Sequence, residues 1–377
     1  MLLVTVFLVT RGHGVSVSHG GKNSKTRENE KIATCGRFWY NAAEVRIMSN
    51  VTYLETGSTD PAYNLAFEEY VLTHRTQGDY LLLWQNDNTI VVGQNQNTAQ
   101  EIDPAFVKEH HITVVRRGTG GGAVYHDLGN LNYSFITDTG AAERLTMDRF
   151  TRPIVEALQN LGLNAEASGR NDILVEGRKV SGTAQRLVHG RILHHGTLLF
   201  DSRPEMIAGA LRVDQAKFTS KSAKSVKSRI GNIREFLPAD MTLPEFWEYL
   251  KRQLAGTGLV QSALTADELA QVSKLADEKY RTWEWTYGRS PKFDMVKRNY
   301  FTGGRLEVGV SVDHGSITEI RFYGDFLSLT DTMPLCRALE GVAYREDAVA
   351  AVLDSQPMAE MFGGITRDEV LRTIFNQ

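Results

Sequence analysis

The densest group of residues with chemical potential lies at 116–127, which reads Arg-Arg-Gly-Thr-Gly-Gly-Gly-Ala-Val-Tyr-His-Asp. Glycine adopts positive φ at little cost and lets the backbone approach a ligand closely. Successive free N–H groups in such a loop form an anion-binding concavity. Arg116 and Arg117 at its entrance add charge and bidentate donors suited to phosphate or carboxylate. The run therefore predicts an anion-holding loop, and a plain glycine-rich hairpin loop is the alternative.

Two familiar nucleotide-binding motifs do not fit this run. A P-loop needs Gly-Lys-Ser/Thr at the start of a helix, and the sequence contains no such tripeptide. The spacing of Gly118, Gly120 and Ala123 superficially matches a dinucleotide fingerprint. However, the residues that follow, 123–125 and 131–137, have strand character, so no helix N-terminus is available to hold a pyrophosphate.

A second candidate is Lys179, at the start of a predicted strand at 179–185 that a turn at Glu176-Gly177 joins to a strand at 172–175. A strand lysine is commonly a solvated surface residue. Here the small residues at 181–183 permit close approach of a ligand. An ammonium about 4 Å from a phosphate or carboxylate has a gross attraction of roughly 4 kcal/mol at an effective dielectric near 20.

A third candidate is a basic run at 217–229 in an otherwise slightly acidic chain. Small polar residues separate its charges, which suits a segment that becomes ordered over a nucleotide or an acidic partner. A solvated loop is the equally simple alternative. The five charged residues are Lys217, Lys221, Lys224, Lys227 and Arg229.

The histidines and cysteines argue against metal and thioester chemistry. His194 and His195 are neighbours on a predicted strand and point to opposite faces, so they cannot chelate one ion together. We expect one to line a pocket and the other to be packed or exposed. Cys35 and Cys336 are distant from each other and from the candidate segments, which leaves no obvious thioester nucleophile, disulfide framework or zinc site.

Composition limits the classes of protein and partner. The chain has 377 residues with 42% hydrophobic and 23% charged residues, which suits two globular domains. Its net charge of −3 gives no global attraction to nucleic acid or to an anionic membrane. The apolar stretch at 2–9 is far shorter than the roughly 20 residues that span a bilayer. We expect 1–47 to be a disordered extension or an overlong start, less plausibly a mitochondrial transit peptide, in a cytoplasmic protein.

The candidate residues are positioned by mixed strands and helices without regular βαβ alternation, which predicts an α+β fold. Strands are predicted at 51–54, 80–85, 89–93, 112–117, 123–125, 131–137, 172–175, 179–185, 194–200, 306–312 and 317–323. Helices are predicted from 61, and at 103–109, 147–161, 204–211, 243–254, 266–279, 333–339 and 367–375. The predicted domains are a catalytic domain at 48–290 and a small α+β domain at 291–377.

Four segments in this order closely resemble lipoate–protein ligase A. The similarity extends from about residue 53 to the C-terminus and includes Trp283-Glu-Trp285. The segments are 116–127, 167–172 (Ala-Ser-Gly-Arg-Asn-Asp), 178–182 (Arg-Lys-Val-Ser-Gly) and 194–198 (His-His-Gly-Thr-Leu).

The resemblance implies a catalytic domain of the class II aminoacyl-tRNA synthetase and biotin-ligase type, with a mobile C-terminal domain. It also implies two steps. Lipoate and Mg-ATP give lipoyl-adenylate and pyrophosphate, and a lysine of a lipoyl domain then attacks the adenylate. The implied acceptors are the lipoyl domains of E2 subunits of 2-oxoacid dehydrogenase complexes and the glycine cleavage H protein, with no nucleic-acid or membrane partner.

The resemblance also assigns roles to individual residues. Lys179 matches the catalytic lysine that meets the lipoyl carbonyl and the α-phosphate. By its chemistry, and not through the resemblance, Asp172 is a candidate magnesium ligand or base. One departure is Gly118-Thr119, where the family often has two serines. The implied ATP contacts are Arg117, Gly122, Ala123, Val124, Tyr125 and Lys179; the implied lipoate contacts are Lys179, Gly120, Gly121, Asn171 and Trp84; the implied adenylate loop includes Lys224, Lys227 and Arg229.

Two alternatives remain open at this point. A lipoyl or octanoyl transferase would perform only the second step, starting from a preformed adenylate or a carrier thioester. A non-catalytic homologue would bind lipoyl domains without turnover. The arginine and glycine spacing disfavours biotin ligation. The sequence leaves lipoate versus octanoate preference undecided.

Overall fold

The computed structural model describes residues 51–139, 147–211, 229–255, 258–288 and 293–375. These residues belong to one compact unit within Ala43–Gln377. Its main layer is an eight-stranded sheet in the order β11-β1-β2-β6-β10-β9-β8-β7, parallel at β1 and antiparallel elsewhere. The strands are β1 (Val51–Glu55), β2 (Asp79–Trp84), β6 (Asn130–Asp138), β7 (Ala165–Ser168), β8 (Asp172–Val175), β9 (Arg178–Val188), β10 (Arg191–Leu199) and β11 (Val260–Gln261).

Apolar residues on alternate positions of these strands build a core on each face of the sheet. Leu81 and Leu83 face one core, together with helix α4 (Met147–Asn160) and helix α6 (Leu243–Ala255). Leu82 and Trp84 face the other core, against helix α1 (Pro61–His74) and helix α7 (Ala266–Leu275). Successive strand side chains point to opposite faces, so both faces of the central strands are buried.

A small sheet beside the main layer carries the glycine-rich run. Strand β3 (Thr89–Val92) lies between β4 (Thr113–Arg116), parallel to it, and β5 (Val124–His126), antiparallel to it. The run therefore connects two strands that flank the same neighbour. Strands β2 and β3 are consecutive in the chain but lie in different sheets, separated by the turn that includes Asn88 with φ of 40°.

The C-terminal part packs four short helices on a three-stranded antiparallel sheet. Its strands are β12 (Met295–Phe301), β13 (Gly304–Asp313) and β14 (Ser316–Gly324). Apolar side chains of β13 and β14, including Val308 and Ile320, form a separate core with the helices. The helices are α9 (Met333–Leu339), α10 (Glu346–Asp354), α11 (Met358–Phe362) and α12 (Arg367–Phe375).

Most predicted elements are confirmed, and the α+β class with them. Asp60 caps α1 as expected, because its side chain accepts hydrogen bonds from the first backbone N–H groups of the helix. The helix predicted at 266–279 is confirmed in extent: it is α-helical to Leu275 and continues as a π-helical turn, Ala276–Tyr280. The remaining short helices are α2 (Thr98–Glu101), α3 (Pro104–Glu109), α5 (Pro204–Ala210), a 3-10 turn (Ile233–Phe236) and α8 (Trp283–Thr286).

Two predictions concern parts of the chain that cannot be compared with the structure. The expected N-terminal extension at 1–47 and the domain boundary near 290 lie outside the described residues. The division at 48–290 and 291–377 therefore stays a prediction. Among the described helices, none is long and apolar enough to cross a bilayer.

Candidate active site

A narrow cavity of about 110 Å³ lies between the main sheet and the glycine-rich run. Trp84 on β2, Asn132 on β6 and Thr197 on β10 stand opposite one another in the strand register, so their side chains share one face. All three line the cavity, together with Leu65 of helix α1. Small residues on β9, Gly182 and Ala184, leave the space open.

Lys179 and Asp172 lie at the mouth of this cavity. The Lys179 Nζ is 2.8 Å from Asp172 Oδ1, and the two side chains are 39% and 34% exposed. The predicted β8–β9 hairpin is confirmed, with Glu176 and Gly177 both at positive φ in its turn. A Cβ at position 182 would lie 3.1 Å from Lys179 Nζ, so Gly182 provides room for the ammonium group.

The buried Arg117 side chain stabilises the conformation of the glycine-rich run. Its guanidinium donates to Thr119 Oγ1 and to the carbonyl oxygens of Val91, Gly120 and Gly122, at 2.6–3.1 Å. Burial lowers the pKa of Arg117 to about 10, and the nearby Glu68 carboxylate acts in the opposite direction. Arg117 remains charged at neutral pH and also lines the cavity.

The expectation that both arginines face an anion is wrong for Arg116. Its side chain is completely buried. It donates to the carbonyl oxygens of Gly93, Gln94, Gln96, Trp285 and Thr286 and to Thr98 Oγ1. Because adjacent residues at the end of a strand point in opposite directions, Arg116 points away from the cavity, where it joins loop segments by hydrogen bonds.

The predicted ATP-binding residues divide into two groups in the structure. Gly122, Ala123 and Val124 line the cavity. The side chain of Tyr125 points instead into a hydrophobic cluster, and its hydroxyl donates to Asn88 Oδ1 at 2.9 Å. For Tyr125, a ligand contact is therefore expected through the backbone alone.

The predicted lipoate-binding residues are also divided. Trp84, Asn171 and Lys179 line the cavity. Gly120 and Gly121 do not, because they contact the segment at 326–328 of the C-terminal part. A Cβ at Gly120 would lie 2.8 Å from Phe326 O, and the Gly121 N–H donates to that oxygen at 3.1 Å.

Part of the predicted adenylate loop is described. Lys224 and Lys227 lie outside the described residues, whereas Arg229 lies within them. The neighbouring Ile230 forms a parallel bridge with Lys179, and the Gly231 N–H donates to Lys179 O at 2.9 Å. The chain that follows the basic run therefore lies directly beside the catalytic lysine candidate.

A buried polar network beneath the cavity was missed by sequence reasoning. His195 Nδ1 lies 2.8 Å from Glu68 Oε1, and its Nε2 lies 2.8 Å from Thr119 Oγ1. Ser134 donates to Glu68 at 2.6 Å and accepts from the Trp84 indole at 2.9 Å. The available signal was the position of Glu68 on the apolar face of α1, where a carboxylate needs buried partners.

The two adjacent histidines behave as expected. His195 lines the cavity, whereas His194 points to the other face of the sheet and stacks on Phe150, with ring centroids 5.0 Å apart. Burial, with a smaller effect of the neighbouring His195, lowers the pKa of His194 to about 3. In the described part of the chain, no three His, Cys, Asp or Glu residues form a group that could hold a metal ion.

The cavity has the chemistry of an acyl-binding site with a reactive mouth. Its inner walls combine apolar side chains with a few buried polar groups, and Lys179 offers a cation where the cavity opens beside the glycine-rich run. An elongated apolar acid fits this arrangement, with its tail inside and its carboxylate near Lys179. A glycine-rich run of this kind can present backbone N–H groups to a second anion.

Comparisons with known proteins agree with this description. Residues 60–255 match the family model for the lipoyl protein ligase A/B catalytic domain, and residues 290–374 match the bacterial lipoate protein ligase C-terminus. The lipoate-protein ligase LplJ of Bacillus subtilis is 42% identical over 321 residues, which cover 84% of this chain and 97% of that protein.

Two solved structures share the fold. The chain is similar to LipL1 of P. falciparum in complex with lipoate, with a TM-score of 0.72 and 24% identity over 87% of this chain and 100% of that chain. It is also similar to a lipoate-protein ligase A bound with ATP, with a TM-score of 0.55 and 26% identity over 64% of this chain and 99% of that chain. The chain therefore belongs to the lipoate–protein ligase family.

Proposed function

We propose that this protein is an ATP-dependent, AMP-forming lipoate–protein ligase. The observation that carries the proposal is a lysine at the mouth of an apolar cavity, directly beside a glycine-rich loop with donor groups. The family match and the ATP-bound relative support the same activity.

Lipoate occupies the cavity in this proposal. Trp84 and Asn171 contact the acyl chain, and Lys179 meets the carboxylate. Gly120 and Gly121 join the lipoate contacts only when the segment at 326–328 moves, because that segment now covers them.

ATP lies over the outer side of the glycine-rich run. The backbone of Gly122, Ala123, Val124 and Tyr125 supplies N–H donors, and Arg117 supports their positions by its bonds to the loop carbonyls. Lys224, Lys227 and Arg229 close over the adenylate, which fits the bridge between Ile230 and Lys179.

The chain's own residues account for both half-reactions. First, a lipoate carboxylate oxygen attacks the α-phosphorus of ATP; the new P–O bond replaces the bond to the β-phosphate, and pyrophosphate leaves. The Lys179 ammonium and the loop N–H groups stabilise the charge that develops on the phosphoryl oxygens. Second, the neutral ε-amine of the acceptor lysine attacks the lipoyl carbonyl, an amide bond forms, AMP leaves with the electrons of the C–O bond, and the amine proton passes to a base, for which Asp172 is the candidate.

Magnesium enters with the nucleotide in this proposal. Mg²⁺ prefers oxygen ligands and commonly binds through one or two carboxylates plus substrate phosphates. Asp172 is the carboxylate at the cavity mouth that fits this role, or the role of the base that deprotonates the acceptor lysine. When bound, Mg²⁺ would neutralise phosphate charge.

The acceptor follows from the family. We propose lipoyl domains, as in E2 subunits and the glycine cleavage H protein, with no nucleic-acid or membrane partner. The cytoplasmic location stays a prediction. A transferase that takes its acyl group from a carrier thioester has no observation that favours it, because no cysteine is among the described residues that line the cavity.

The decisive experiment measures pyrophosphate release and the mass of a lipoyl domain incubated with the enzyme, lipoate and ATP. We expect lipoate-dependent release and a lipoyl mass shift in the wild type. Lys179→Ala should lower the rate of release about 100-fold or more, the usual effect of losing a group that stabilises transition-state charge. Lys274→Ala, a matched control at a 71% exposed side chain on α7, should leave the rate unchanged.

Each alternative gives a different result in this assay. Transfer from preformed lipoyl-adenylate without pyrophosphate release from ATP and lipoate would identify a transferase. Binding of the lipoyl domain without either reaction, unchanged in Lys179→Ala, would identify a non-catalytic homologue. Either result would contradict the proposed ligase.

A further inference from the structure

Two buried hydrogen-bond donors in the cavity have no acceptor. His126 and Asn132 are 3% and 2% exposed, and both line the cavity. Among the residues that line it, within the described chain, the only buried polar side-chain atoms without a partner are His126 Nε2 and Asn132 Nδ2. A buried donor without a partner bears its full desolvation cost, so an acceptor on a bound ligand would be recognised there.

The identity of His126 Nε2 as a donor follows from its neighbours. Asn64 Nδ2 lies 3.1 and 2.7 Å from the carbonyl oxygens of Ser58 and Gln85, which only accept, and 2.9 Å from Asn86 Oδ1. Asn86 therefore presents its Nδ2 to His126 Nδ1, at 3.1 Å. The His126 Nδ1 must accept this bond, which places the proton on Nε2.

The neutral state of His126 agrees with this tautomer. Burial, together with the charges of Arg117 and His195, lowers the pKa of His126 to about 3. At neutral pH the ring therefore carries one proton, which the Asn86 contact assigns to Nε2.

Asn132 is oriented in the structure by its contact with Asn130. Asn130 Nδ2 donates to Asn132 Oδ1 at 3.0 Å, which leaves the Asn132 amide nitrogen without a partner. Both free donors lie beside the Trp84 side chain. Asn132 is opposite Trp84 in the register between β6 and β2, and the His126 and Trp84 rings pack edge to face with centroids 6.5 Å apart.

The donors lie at the closed end of the cavity. Trp84, His126 and Asn132 are at most 3% exposed, whereas the Lys179 side chain at the mouth is 39% exposed. An acid whose carboxylate meets Lys179 thus places the far end of its chain against His126 and Asn132.

We propose that His126 and Asn132 are specificity-determining residues that select an acid with weak hydrogen-bond acceptors at the end of its chain. This inference rests on the proposed function. The dithiolane sulfurs of lipoate are acceptors of this kind, since divalent sulfur accepts weak hydrogen bonds. Octanoate has the same carboxylate group and a similar chain, but it has no hydrogen-bond acceptor at the far end and leaves both donors unpaired. A site built to hydrogen-bond its substrate disfavours an analogue that lacks the partner group.

The test compares three acids in the pyrophosphate-release assay with lipoyl domain present: lipoate, octanoate and 5-cyclopentylpentanoate. The last has the ring and chain of lipoate without sulfur, so it separates recognition of shape from recognition of acceptors. For the wild type, we expect kcat/KM for lipoate to exceed that for the cyclopentyl acid about tenfold, as two weak hydrogen bonds allow.

The variants His126→Phe and Asn132→Leu each remove one donor and keep similar volume. We expect each to reduce the ratio of kcat/KM between lipoate and the cyclopentyl acid by about threefold, and the double variant to bring it near one. His194→Phe is the matched control. It removes a buried imidazole, also with an unpaired Nε2, on the opposite face of the same sheet, and should leave the ratio unchanged.

The outcomes separate the two proposals. Equal kcat/KM for lipoate and the cyclopentyl acid in the wild type would overturn the role of the donors, and this comparison needs no variant to fold. An unchanged ratio in the folded double variant would overturn it as well. Absence of pyrophosphate release with every acid would instead contradict the proposed ligase activity.

Discussion

The ion pair between Lys179 and Asp172, 2.8 Å apart at the cavity mouth, links the two residues with proposed chemical roles. If Asp172 supports Mg²⁺ on ATP, Asp172→Asn should raise the Mg²⁺ concentration for half-maximal pyrophosphate release several-fold, because the amide oxygen is a weaker ligand than a carboxylate. Titration of Mg²⁺ at saturating ATP measures this effect.

A matched control for this substitution is Asp201→Asn, which disrupts an exposed ion pair with Arg234 at 2.7 Å and leaves the cavity untouched. The Mg²⁺ titration of the control should match the wild type. An unchanged Mg²⁺ titration in Asp172→Asn, combined with a higher KM for ATP, would assign Asp172 to the positioning of Lys179 instead.

The buried histidines predict loss of stability in acid. The pKa values of His126 and His194 are about 3 in the folded protein and 6.5 ordinarily. Between these values the unfolded chain binds protons that the folded chain does not, so the free energy of unfolding falls as the pH falls below 6.5. At pH 5 each histidine should cost roughly 2 kcal/mol.

His194→Phe tests this linkage. Urea unfolding at pH 7 and pH 5 should show a smaller loss of stability in the variant than in the wild type, by roughly 2 kcal/mol. Each protein is compared with itself at the two pH values, so a packing change that the substitution causes at pH 7 does not affect the difference in the free energy of unfolding. Parallel losses in the two proteins would show that His194 does not contribute to the acid sensitivity.

The glycine-rich run shows what sequence can and cannot predict about single residues. Its residue types predicted a loop with arginine donors, and Arg117 does line the cavity. No local sequence signal distinguishes Arg117 from Arg116. The Arg116 guanidinium donates to carbonyl oxygens from segments distant in sequence, including that of Thr286. The direction of a side chain depends on partners from distant segments. For the same reason the pairing of Glu68 with His195 could not be predicted.

At the scale of elements, the glycine-rich run and the segment at 326–328 form one packed unit. Gly120→Ala should lower the free energy of unfolding by roughly 1–3 kcal/mol, because the new methyl group would lie 2.8 Å from Phe326 O and Ser328 N. Gly122→Ala is the matched control, since a Cβ there meets nothing within 4 Å. Thermal unfolding of both variants measures the difference, and equal stability would contradict the packing.

Element prediction succeeded where local signals were strong. The Glu176-Gly177 turn and the Asp60 cap each specify a local structure on their own. Strand β12 was missed because it is an edge strand whose apolar and charged residues do not alternate cleanly. Helix α10 was missed because it buries only Val349 and Leu353, so its apolar stripe is short.

At the scale of the whole molecule, three backbone hydrogen bonds between described residues join the C-terminal part to the catalytic part, one of them from the Gly324 N–H to Asn95 O at 2.8 Å. The Gly121 N–H donates to Phe326 O at 3.1 Å, and the Leu187 N–H donates to Leu329 O at 2.7 Å. An anion that binds to the Gly121 N–H has to displace Phe326. We therefore expect the Leu187 amide to lose protection when lipoate and ATP are added, whereas the Gly121 N–H exchanges Phe326 O for an acceptor on the ligand.

Amide hydrogen exchange measures this coupling. The Phe200 N–H, which donates to Gly129 O at 3.0 Å, serves as the internal reference and should stay protected. Unchanged exchange at Leu187 on addition of lipoate and ATP would show that the segment at 326–329 does not move as one body.

The cavity itself could not be predicted from local sequence patterns. Its lining comes from α1, the glycine-rich run and strands β2, β3, β5, β6, β9 and β10, among others, and the register between strands distant in sequence brings these residues together. The family resemblance predicted roles for individual residues, whereas only the structure revealed how deeply the cavity is buried and which of its hydrogen-bond donors are unpaired.

The depth of the cavity predicts the order in which the substrates bind. Because the cavity is closed at Trp84 and opens at Lys179, an acid must slide in tail first, before a nucleotide covers the opening. We expect lipoate to bind ahead of ATP. Once the adenylate has formed, its buried tail keeps this reactive intermediate bound to the enzyme while pyrophosphate departs. The adenylate then reacts with the acceptor lysine instead of being released and hydrolysed by water.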